Sequence, residues 1–238
     1  MPPRKPSAPL WLRDAEPADP DRLTRERIVE TAIALADSEG LEAVSIRRIA
    51  AELKARPMSL YAHIGSKDDL LDLMHDYVVG EALLGEVPAE WRDALRAIAR
   101  RTRAVTLRHS WVIELFGRRP RVGPNTLRHG DESAAAVAGL DVDRATKRAL
   151  LFAVDTFTIG HVALERSGAL GDRERSEDWE RALAEYVERQ VASGELPHLA
   201  GLDMREVVDL GDATAAFEQG LEWLLAGAAA QLERGQAE

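Results

Sequence analysis

Between Val44 and Lys67 the chain sets Arg47, Arg48, Lys54, Arg56 and Lys67 against one carboxylate, Glu52, a local charge of +4. Ser45, Ser59, Tyr61 and His63 are interleaved with these cations. Cations mixed with neutral hydrogen-bond donors are the set that grips phosphate oxygens and reaches base edges. The rest of the protein has the opposite sign. Its net charge is −10, of which residues 1–67 carry +1 and residues 68–238 carry −11. An acidic chain repels nucleic acid as a whole, so a basic segment confined to one stretch is where phosphate contact would occur.

Enzyme chemistry has little to draw on. There is no cysteine, which excludes disulfides, thiolate catalysis and cysteine-ligated zinc. The six histidines, His63, His75, His109, His129, His161 and His198, form no H-E-x-x-H spacing, and there is no G-x-S-x-G or P-loop. Asp72 and His75, at i and i+3, can be read as metal ligands or as a surface pair; no metal and no cofactor is expected. No apolar run reaches the roughly 18–20 residues that a membrane span needs. The first twenty residues contain six prolines and no signal-like apolar stretch, so a cytoplasmic address is expected.

The elements that must position the basic segment follow from apolar spacing and caps. Residues 1–21 are too polar and proline-rich to bury a core and are expected to form a disordered arm. Thr24 can cap a helix with Ile28, Val29, Ala32, Ile33 and Ala36 on one face, ended by Gly40. Ser45 can cap a second, in which Ile46, Ile49, Ala50 and Leu53 fall at i, i+3, i+4 and i+7. Pro57 suits the first turn of a third, with Leu60 and Ile64 inward. Ser66 with Asp69 resembles a capping box opening a fourth helix toward about Leu84. Two short helices joined by a three- or four-residue turn have helix-turn-helix form. Such a unit lays its second helix in the major groove of duplex DNA. Arg56, Pro57, Met58, Ser59 and Ala62 would then face base edges, and Ser45, Tyr61 and His63 would meet phosphates. Lys67 stands at a helix N-terminus, where a cation is disfavoured unless an anion binds. The alternative is two helices of a bundle with a solvated charged face.

The composite from Ser45 to Leu70, S-x-R-x-[IL]-A, then L-Y-x-H-I, then S-K-x-x-L, resembles the DNA-binding domain of TetR-family transcriptional regulators. With the helix ending Asp-Ser-Glu-Gly-Leu-Glu-Ala-Val, the similarity extends back to about Leu23. The resemblance implies a dimeric, all-α, sequence-specific regulator of transcription, a repressor released from operator DNA by a small molecule. It also implies groove-facing roles for Arg47, Arg56, Pro57, Met58 and Ser59, and backbone contacts for Ser45, Tyr61, His63 and Lys67. Lys54 departs from the family, whose members usually carry glycine in this turn. The rival reading is a helical small-molecule-binding or enzymatic protein that keeps the shape without binding an operator.

The expected organisation is therefore a three-helix reading head within residues 22–84 and a helical ligand-binding and dimerisation domain over residues 85–238. Helices are expected at Trp91–His109, Trp111–Phe116, Arg144–Glu165 and Asp212–Leu232, and Ser167–Asp178 is expected to be a mobile loop. The segments from Ala153 and Phe217 look like the helices that form the dimer interface in the tetracycline-repressor branch. Gly160, Gly220 and Gly227, with Leu224 beside them, would allow close crossing between copies, or alternatively core packing within one subunit. Trp111, Phe116, Phe152 and Phe157 are expected to wall an effector pocket, with His109, Glu114, Asp155, Thr158 or His161 orienting a polar group. Relatives that bind magnesium-tetracycline use a histidine on the helix linking the domains. Residues 80–85 contain none, so that ligand is not expected.

Overall fold

The computed structural model describes residues 23–116, 121–166, 177–196, 198 and 212–235, and every regular element among them is helical. The elements are α1 (Arg25–Glu39), a 3₁₀ turn (Leu41–Ala43), α2 (Ile46–Glu52), α3 (Pro57–Ile64), α4 (Lys67–Ala82), α5 (Trp91–Arg108), a second 3₁₀ segment (Ser110–Leu115), α6 (Pro124–Ala136), α7 (Arg144–Arg166), α8 (Glu177–Ala192) and α9 (Ala213–Gly235). The expected arm lies outside the described residues, as does the expected loop apart from Glu177 and Asp178, which open α8. Trp111–Phe116 takes the tighter 3₁₀ form, and the sequence reading had no counterpart for α6 or α8.

The first helices begin where their caps predict. Thr24 Oγ1 accepts the Arg27 amide at 3.3 Å, Ser45 Oγ that of Arg48 at 3.2 Å, and Ser66 Oγ that of Asp69 at 3.0 Å. Each satisfies an amide that the helix itself cannot. Gly40 and Gly65 close α1 and α3 at φ of +86° and +71°, a region that favours glycine.

Two compact units divide the chain, residues 1–151 and 152–238. The core of the first buries Ile28 and Ala32 of α1, Ile49 of α2, Leu60 and Ile64 of α3, and Leu70 and Met74 of α4. Residue 84, the expected end of the reading head, lies inside this unit, which also takes in α5 and α6.

Two carboxylates fasten α4 to α6. Buried Asp76 accepts the amides of Asn125 at 3.2 Å and Thr126 at 2.8 Å and the Thr126 hydroxyl at 3.0 Å, capping α6 from another helix. Glu132 of α6 in turn accepts the amides of Leu84 and Gly85, both at 2.9 Å, just beyond α4. Between these ties a β-carbon on Gly80 would lie 2.7 Å from Asn125 Nδ2, so the absent side chain lets the helices approach.

In the second unit, Phe217, Leu221 and Leu225 of α9 and Val162 of α7 are buried. Phe157 stacks on Phe217 with ring centres 5.5 Å apart, and His161 meets Phe217 edge-on at 5.3 Å.

Candidate nucleic-acid interface

The site is a thin shell over the core of the first unit. In α2 the buried side is Ile46, Ile49 and Ala50, which leaves Arg47 exposed beside exposed Ser45. The next turn depends on Lys54, which adopts φ of +51° without being glycine. Its amide donates to the Ala51 carbonyl at 3.1 Å, and the Ala55 amide donates to that of Ala50 at 2.8 Å. Arg56 then returns to extended backbone and Pro57 starts α3. With Leu60 and Ile64 fully buried beneath it, α3 turns Arg56, Pro57, Met58, Ser59, Tyr61 and Ala62 outward, while His63 is half-buried. Met58, 77% exposed, is an apolar side chain held in water. It offers an apolar contact to whatever meets that face. Arg25 Nε donates to the His63 carbonyl at 3.3 Å, tying the end of α3 to the start of α1.

Pairing sorts the cations. Arg48 is held by Glu39 at 3.0 Å and Glu52 at 3.2 Å. Among the described residues Arg47, Arg56 and Lys67 have no carboxylate partner. Their charge stays available for phosphate or guanine, where an arginine fork is most specific. Lys67 shares the first turn of α4 with Asp68 and Asp69, so its promise as an anion contact rests on exposure rather than on an uncompensated helix dipole. Ser45 accepts one amide and keeps its own proton for an outside acceptor.

The residues expected around an effector fall in both units. Trp111 and Phe116 belong to the first unit, Phe152 and Phe157 to the second. Phe116 and Phe152 are 52% and 69% exposed, and Glu114 is exposed as well. Phe152 follows the outer stripe of α7 with Thr156, Gly160 and Leu164, opposite buried Val154, Thr158 and Val162. The polar atoms of His109 and Trp111 bond inside the chain. His109 Nδ1 lies 2.9 Å from Asp37 Oδ1, and Trp111 Nε1 donates to the same oxygen at 2.7 Å. Thr158 donates to the Val154 carbonyl of its own helix at 2.8 Å. Phe157, Asp155 and His161 stay half-buried. The His161 Nε2 donates to the Ala213 carbonyl at 2.9 Å, which leaves Nδ1 an acceptor in the neutral ring. Asp72 is ion-paired with Arg121, whose Nε is buried without a partner, as is Nδ1 of His75.

Of the small residues expected at a dimer contact, Gly220 is occupied from within: a β-carbon there would lie 2.7 Å from Phe157 Cζ. Gly160 and Gly227 face open space, and Leu224 is half-buried. Exposed Phe152 and Leu164 on α7, and on α9 exposed Ala226 and Trp223 (71% exposed), surround these two glycines.

Known proteins carry the same pattern. Residues 28–74 match the family described as bacterial regulatory proteins, tetR family, and residues 84–232 match the tetracyclin repressor-like C-terminal domain. An HTH-type transcriptional regulator of Saccharopolyspora erythraea is 36% identical over 93% of this chain and 91% of its own. The HTH-type transcriptional repressor DrrR1 of Streptomyces coeruleorubidus is 35% identical over 81% of this chain and 74% of its own. Among solved structures, ActR of Streptomyces coelicolor in complex with actinorhodin aligns with a TM-score of 0.73 at 32% identity, covering 88% of this chain and 96% of that one. A helix-turn-helix with an open basic face, joined to a second domain that matches over most of its length, makes this chain a member of the TetR family of transcriptional regulators.

Proposed function

We propose that the protein is a homodimeric repressor that reads a two-fold operator with Arg47, Arg56, Pro57, Met58 and Ser59. In this reading Ser45, Tyr61, His63 and Lys67 hold phosphates, and a small molecule releases the DNA. The carrying observation is the outer face of α2 and α3, where unpaired arginines and a bare methionine lie over a fully buried underside. Among the described residues, Arg47 and Arg56 have no carboxylate partner and Met58 is outside the core. A two-fold site needs two heads, and the open faces around Gly160 and Gly227 are where a second copy fits. Release by a small molecule is supported by similarity to ActR, which was solved with actinorhodin, and the name DrrR1 supports repression. Within the second unit, Asp155, Phe157 and His161 are the candidate effector contacts, with His161 Nδ1 accepting from a hydroxyl.

Selecting bound fragments from genomic DNA with the purified chain is the decisive experiment. The expected product is a pseudo-palindromic duplex whose affinity falls steeply with salt. Arg47→Ala and Tyr61→Ala should weaken binding with unchanged helical circular dichroism, since neither side chain is in the core. If no fragment is enriched, the rival reading, a helical binding protein without an operator, replaces this one.

A further inference from the structure

His109 occupies the meeting point of three helix C-termini, those of α1, α4 and α5. Asp37 lies in the last turn of α1, Glu81 in the last turn of α4, and Arg108 ends α5. The C-terminal end of a helix carries about half a negative charge, so three such ends and two carboxylates concentrate negative potential. Neither α1 nor α4 has a basic residue in its own last turn. Cations come instead from α5. Arg101 Nε donates to the Glu81 carbonyl at 2.8 Å, and Arg108 pairs with the Glu81 carboxylate. His109 lies between the two acids, Nδ1 at 2.9 and 3.0 Å from the oxygens of Asp37 and Nε2 at 3.4 Å from Glu81. Asp37 only accepts, so Nδ1 carries the hydrogen of the closer contact. His109 and Trp111 are both buried, and Trp111 donates to the same Asp37 carboxylate.

Helix α1 supports α2 and α3 from below, and α4 leads out of the reading head. The end of α5 therefore holds the two helices that fix the direction of the head. We propose that His109 and Asp37 are positioning residues for operator binding, orienting the reading head against α5 rather than touching DNA or effector. This rests on the two-headed repressor reading above.

The test compares wild type with His109→Gln and Asp37→Asn, full chain, on two duplexes: the operator fragment that wild type selects and a fragment carrying one half-site. Misoriented heads lose joint engagement but keep the chemistry of each head. The full site should bind about tenfold more weakly or worse, within the usual range of coupling between sites, and half-site affinity should stay unchanged. The two substitutions together should cost less than the sum of their separate effects. Glu81→Gln, at the longer contact, should show the same split in smaller measure and guards against a misfolded His109 variant. Equal loss on both duplexes, or no loss on either, overturns the proposal while leaving the repressor intact. If wild type selects no duplex, the repressor reading falls and the proposal falls with it.

Discussion

Lys54 holds a backbone conformation in which its β-carbon crowds the following carbonyl, at a cost of roughly 1 kcal/mol. Lys54→Gly should therefore raise the urea midpoint slightly, the relief outweighing the extra freedom of the unfolded chain. The departure at Lys54 was legible in the sequence through the resemblance, whose members usually carry glycine in this turn. His75 illustrates what was not legible. Burial, and after it the Arg121 guanidinium, push its imidazole below the usual 6.5, against the opposing pull of Asp76 and Asp72. As pH falls through the range below 6.5, the unfolded chain takes up this proton first, so stability is full above that range and is lost through it. Melting temperature followed from pH 7.5 to 5 should drop less for His75→Gln than for wild type. The surroundings of His109 were hidden for the same reason: Asp37, which faces its ring, is 72 residues away, and no local spacing announces it.

Helices that carry their own signals were the ones read correctly. α1 to α4 each begin at a hydroxyl cap or a proline and keep an uninterrupted inner stripe, so their outward residues followed by subtraction. α6 also opens on a proline, Pro124, but its N-terminus is capped by Asp76 from α4 and its polar sequence, interrupted by Gly130, has no inner stripe, burying Ala136 alone. Expected crossing at the glycines was half legible: spacing put Gly160, Gly220 and Gly227 on α7 and α9 but did not say which neighbour each admits. Gly220→Leu should unfold the second unit by driving a side chain into Phe157, giving a lowered melting temperature in dilute protein. Gly227→Leu points into open space and should leave a folded chain whose mass by light scattering is halved. A folded dimer in the Gly227 variant places the interface elsewhere.

At the scale of the whole molecule, the net charge is −10, so in the proposed reading each exposed cation on α2, α3 and the start of α4 counts toward holding DNA. Lys67→Gln should weaken binding to every sequence alike and lower the slope of log affinity against log salt by about 1, as expected for one lost phosphate contact. Met58→Ala should leave that slope intact and relax the base preference at one position, read by repeating the fragment selection. The ties between α4 and α6 bear on how such regulators exchange parts. A hybrid joined at residue 84, the seam that sequence similarity suggests, would bring a foreign fourth helix beneath an α6 that has lost Asp76 as its cap, and would leave Glu132 facing amides it was not built for. Hybrids cut there should be recovered as insoluble or protease-sensitive protein. A transplant that carries residues 23–136 as one block keeps both ties and should yield a soluble chain, so that inheritance of a new operator preference in this protein would involve α6 as much as the helices that touch DNA.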